Sequence, residues 1–80
     1  MTVSTQVVWA YPTPQETIDA IDAQANELIA EGKEIGESVL TRNPENTLVT
    51  VVRTWIDETT AQEWIAFVQV YDPVSAVILN

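Results

Sequence analysis

The chain has 80 residues, 46% of them apolar, and a formal charge of -9 from twelve acids against Lys33, Arg42 and Arg53. So apolar a composition excludes a disordered segment and calls for a packed core, while the length allows one domain, residues 1–80, near the lower limit of what folds without staples. With neither cysteine nor histidine, disulfides, thiol nucleophiles, zinc-thiolate sites and the usual haem or copper ligand are excluded, so no metal and no cofactor is expected.

The acidic surface repels phosphate backbones and anionic lipid, so neither nucleic acid nor membrane is an expected partner. A solvated surface is the plain reading of this charge, and an acidic mimic or inhibitor of a basic protein is the sharper one. No apolar run approaches the ~18 residues of a membrane helix. "MTVSTQVVWA" lacks the basic start and continuous apolar stretch of a signal peptide. A soluble, cytoplasmic protein is the expectation.

Residues 5–11, "TQVVWAY", form the first expected strand, with Val7, Trp9 and Tyr11 on one face and Val8 and Ala10 on the other. "YPTPQE" ends it and predicts a helix start: Thr13 as cap, Pro14 at the first helical position, Glu16 completing a capping box. The helix should run over 14–31, burying Ile18, Ile21, Ala25, Leu28 and Ile29 and ending at Gly32. Residues 34–42 predict a weaker second strand in which Gly36 marks a bulge or a close backbone approach.

"NPEN" supplies a turn with Pro44 at its second position, and residues 47–56, "TLVTVVRTWI", are the clearest strand of the chain. A second helix begins near Asp57 or Thr59 and runs over 58–71, with Ala61, Trp64, Ile65 and Val68 on one stripe. Asp72-Pro73 stops it, and residues 74–79 form a last strand.

Strand, helix, strand, strand, helix, strand is the order of a ferredoxin-like α+β fold: a four-stranded antiparallel sheet with both helices on one face. Such a sheet should be polar on its other face, but here each main strand carries apolar residues on both. Whichever face the helices cover, an apolar one is left for a second copy, and Leu48, Val52 and Ile56 are the candidate interface of a homodimer. A monomer this small buries only roughly 60% of the surface its unfolded chain exposes, which makes oligomerisation the remaining source of stability.

"VVRTWIDETTAQEWIAF" is an apolar strand ending in Trp55, an Asp- and Thr-bearing cap, and a helix carrying Trp64-Ile65. With the strand order, this stretch resembles the dimeric α+β barrel superfamily, which includes the antibiotic-biosynthesis monooxygenase-like domains. The staphylococcal-type haem-degrading monooxygenases show a similar strand-Trp, helix-Trp spacing. The resemblance implies that Trp55 lines a cavity and Trp64 packs the helix. Those haem-degrading members need a histidine at the second helix, which this chain lacks, and an asparagine near the end of the first strand, where Trp9, Ala10 and Tyr11 stand. Haem degradation is therefore set aside. Other members act on aromatic polyketides without metal or cofactor, using Trp, Tyr, Asn or Arg around an apolar cavity.

No motif names a reaction. Asp19/Asp22 and Glu27/Glu31 read as solvated charge, and Ser38 and Ser75 have no histidine to activate them. Arg53, a cation in an apolar strand, is either paired with a carboxylate or an anchor for an anion or carbonyl. Trp9, Tyr11, Arg53 and Trp55 are the candidate pocket. The plainer expectation is a non-catalytic accessory module of unknown biochemical role. The alternative is a cofactor-independent monooxygenase or isomerase acting on a small apolar or aromatic ligand. A cavity of about 300 Å3 or more beside those four residues would favour the alternative.

Overall fold

In the computed structural model, which describes residues 2–79, the elements follow in the order β1 (Val3–Ala10), α1 (Gln15–Ala30), β2 (Glu34–Arg42), β3 (Leu48–Trp55), α2 (Glu58–Gln69) and β4 (Ser75–Leu79). The strands form one antiparallel sheet in the spatial order β2-β3-β1-β4, so β3 and β1 are central. This is the ferredoxin-like α+β architecture.

Register settles which face the helices cover. Val3, Thr5, Val7 and Trp9 of β1 lie in line with Trp55, Arg53, Val51 and Val49 of β3, and these positions are the buried or half-buried ones that meet the helices. Leu48 and Val52 therefore point to the opposite, open face, and Ile56 follows the end of β3 with its side chain exposed.

The core lies mainly under α2, which packs over β1, β3 and β4 through Ala61, Trp64 and Val68. Trp55 and Trp64 meet with ring centroids 5.0 Å apart and planes tilted by 37°, an arrangement that adds about 0.5–1.5 kcal/mol to the burial of the two rings. From α1, Ile21, Ala25 and Leu28 join the core. Ile29 does not, being 48% exposed.

Two local devices differ from what the residues suggest. Pro14 takes the cap position of α1, with φ -54° and ψ 138°, and its carbonyl accepts from the amides of Thr17 and Ile18. No capping box forms: the Thr13 hydroxyl turns back to donate to the Ala10 carbonyl at 2.8 Å. The residue before a proline is pushed toward extended backbone, and Thr13 so placed serves the turn rather than the helix. At the start of α2 Asp57 is the cap, its carboxylate accepting from the Thr60 amide at 2.8 Å.

In β2 the register shifts between Ile35 and Val39, around Gly36 at φ +71°. A Cβ there would meet nothing within 4 Å, so the glycine serves the bulge and not a close approach. The hairpin to β3 turns over Asn43–Asn46 with Pro44 second, and the Asn43 side chain accepts from the amides of Thr47 and Leu48. No helix is long and apolar enough to cross a membrane among the described residues.

Candidate functional site

The packing of α1 is uneven along its length. Its C-terminal half seats Ala25 and Leu28 in the core, but its N-terminal half stands off the sheet and leaves a cavity of about 450 Å3. Thr17, Ile18, Ile21 and Asp22 form the helix wall, while Trp9, Leu40, Val49 and Val51 form the sheet floor. The floor follows from register: Trp9, Val49 and Arg42 share one row across the sheet, and Val51 and Leu40 belong to the next. All these side chains leave the same face of three adjacent strands.

The cavity opens toward the β2 edge, where Leu40 is 64% exposed and Arg42 is likewise exposed. The Arg42 guanidinium lies over the Tyr11 ring, 4.5 Å from its centroid, and Nη1 donates to the Tyr11 hydroxyl at 3.1 Å. Asn46 Oδ1 stands 3.5 Å from the same nitrogen. A cation fixed over a ring and against a hydroxyl keeps its geometry without losing its charge.

The deep end is Arg53. Its Nη1 donates to both Glu34 oxygens at 3.2 and 3.0 Å, with both side chains nearly removed from solvent. Its guanidinium carbon sits 5.2 Å from the centre of the Trp64 ring. Its Nε is buried and without a hydrogen-bond partner among the described residues.

The structure thus brings Trp9, Tyr11 and Arg53 to one cavity and sets Trp55 apart from it. Trp55 is 0% exposed and lies further along the same face of β3, beneath α2, with its indole N–H donating to Thr5 Oγ1 at 3.0 Å. Contrary to the sequence expectation it forms no part of the cavity lining, because α2 covers the end of β3 completely.

Arg42, Ser38 and Asp22 also line the cavity, and none of them was placed at a site from sequence. Arg42 comes to the cavity through the β2–β3 register beyond the bulge and Ser38 from within the bulge, and neither placement follows from the residues alone. Asp22 shares its helix turn with Ile21 and Ile18, and could have been found only by knowing that α1 stands off there. Among the described residues no cluster of three Asp or Glu side chains could hold a metal ion.

Asp57, outside the cavity, has a shifted carboxyl. The backbone amide of Thr60 and then the Thr60 side chain hold the Asp57 carboxyl below its ordinary value of 3.8.

No family model and no curated protein matches the chain. A solved structure, that of Rv0793 from Mycobacterium tuberculosis, superposes on it with a TM-score of 0.62 at 9% identity, over 100% of this chain and 94% of that one. At that identity the likeness is one of fold, and it agrees with the ferredoxin-like α+β arrangement described above.

Proposed function

We propose that this protein binds a small apolar or aromatic molecule in the cavity between α1 and the sheet, and does so as a sheet-to-sheet homodimer of the dimeric α+β barrel kind. The cavity carries the reading. Its volume of about 450 Å3 falls within the roughly 300–1,000 Å3 range of small-molecule sites, and its walls are mostly apolar with a few convergent polar groups.

Binding without chemistry is the plainer form of the proposal, an accessory module that holds its ligand. The lining contains no histidine, cysteine or lysine to serve as base or nucleophile. A cofactor-independent monooxygenase or isomerase is the second reading. It is favoured by Trp9, Tyr11 and Arg53 meeting at one apolar floor, since these are the residue types that the resembled enzymes set around an aromatic substrate.

The dimer is supported by the open face of the sheet. Ser4, Gln6, Val8, Ala10, Ile35, Val39, Thr41, Leu48, Thr50, Val52, Thr54, Ser75, Val77 and Leu79 occupy its ladder positions, and not one is charged. In a chain of charge -9, that is the face on which a second copy meets least repulsion. Leu48 and Val52 stand on it, with Ile56 at its margin, and a standard interface of about 1,200–2,000 Å2 would cover it.

Tryptophan emission of the full chain, titrated with small aromatic and aliphatic molecules, tests the binding. The expected result is a saturable change for some members of the set, lost in Ile18→Phe, which fills the cavity from the helix side. A flat response across the whole set from folded protein would contradict it.

A further inference from the structure

We infer that the cavity selects an apolar acid: a molecule with one carboxylate on a compact hydrocarbon body, held by Arg42 at the mouth and reaching toward Arg53 with a polar far end. The inference rests on the binding reading above and adds the ligand's charge and orientation. It starts from scarcity. The chain has three basic residues against twelve acids, and two of the three line this one cavity. The third, Lys33, is outside it and paired with Glu31 at 3.2 Å.

Arg42 makes no ion pair among the described residues, although acids outnumber bases fourfold in the chain. Its partners are the Tyr11 hydroxyl, the Asn46 side-chain oxygen and the Tyr11 ring, all uncharged. They hold the guanidinium in place and leave its charge uncompensated. A planar, preorganised guanidinium at a cavity mouth is the group best matched to a carboxylate, which it binds through two parallel N–H donors.

At the other end Arg53 is nine-tenths buried, and Glu34 engages only its Nη1. Nε is buried, closed off from solvent, and has no acceptor among the described residues. Arg53 itself lines the deep end of the cavity, so a carbonyl or hydroxyl oxygen on the ligand would meet its guanidinium at that wall. A second anion would not be favoured there, because Glu34 already neutralises Arg53.

Spacing fits one ligand between the two. Arg42 pairs in register with Val49, and Arg53 lies four residues further along β3 on the same face. At 3.2–3.4 Å per residue the two rows are about 13 Å apart, which leaves room for one or two rings over Trp9, Val49 and Val51. Asp22 on α1 also lines the cavity and opposes an anion near the helix wall. Its effect is to confine the carboxylate to the Arg42 side.

Calorimetric titration of the full chain with matched pairs separates this inference from the reading beneath it. The probes are 2-naphthoate, phenylacetate and octanoate, each with its neutral primary amide. The expected result is that at least one acid binds roughly tenfold or more tightly than its amide. That preference should weaken with added salt and vanish in Arg42→Gln, an exposed substitution that leaves the core untouched. The amide's own affinity should fall much less than the acid's in that variant, and in the parent protein the Trp9 and Arg42 side-chain N–H signals should shift on binding. Acid and amide binding alike, or a preference that survives Arg42→Gln, would overturn the inference while leaving a binding cavity in place. Binding of none of the six would remove the cavity reading as well.

Discussion

Arg53 lies on the inner face of β3 between apolar neighbours, and Glu34 makes that position tolerable. The carboxylate belongs to the ladder position opposite Trp55 and reaches diagonally to the guanidinium, with Trp64 covering the pair. Removing one partner of a buried pair leaves an uncompensated charge, so Glu34→Ala should lower the unfolding free energy by about 3–5 kcal/mol in urea titrations. Combining it with Arg53→Met should cost far less than the sum of the two single changes. Thr5→Val tests a neutral counterpart: the Trp55 indole N–H loses its acceptor in the core, and stability should fall by about 1–3 kcal/mol. At this scale the sequence was legible in part. An isolated cation in an apolar strand announces a partner or a ligand, but neither Glu34 as the partner nor Trp55's withdrawal from the cavity follows without the register.

Among the elements, the two helix starts show how far local patterns carry. Asp57 caps α2 as a strand-to-helix junction with an acid suggests, whereas Thr13, equally suited as a cap by type, bonds backward because Pro14 follows it. The Asp57 cap has a pH signature. Its folded-state pKa is depressed below 3.8, chiefly by the Thr60 amide, so the stability it contributes is present above the unfolded value and is lost as pH falls through the folded one. Asp57→Asn keeps a capping acceptor without that titration. It should leave the melting temperature near pH 7 little changed and flatten this part of the acid limb below about pH 4. Asp57→Ala should lower the melting temperature at both ends of the range. The stand-off of α1 was not legible. Ile18, Ile21, Ala25 and Leu28 form one continuous stripe in sequence, and only tertiary packing decides that its first half lines a cavity while its second half fills the core.

For the whole molecule, strand order and layer arrangement followed from the alternation of apolar periods, because each element carries its own start and stop signals. Which sheet face the helices cover did not follow. Val49, Val51 and Trp55 on one face and Leu48, Val52 and Ile56 on the other are equally apolar, and the choice depends on tertiary packing. With Val52 placed outward, Val52→Asp should split the proposed homodimer without unfolding the chain. Sedimentation at micromolar concentration should show a species of twice the chain's 8.9 kDa for the parent protein and one near 8.9 kDa for the variant, with unchanged helical circular dichroism. A parent sedimenting as a monomer would remove the sheet-to-sheet assembly. The binding claim is tested most directly by isotope-filtered nuclear Overhauser spectroscopy on the full chain with a ligand found by fluorescence. Contacts from the ligand to the Trp9 ring and to the methyl groups of Ile21 and Val51 are the predicted result. Contacts to Val52, Val77 and Leu79 instead, on the opposite face of the sheet, would contradict it.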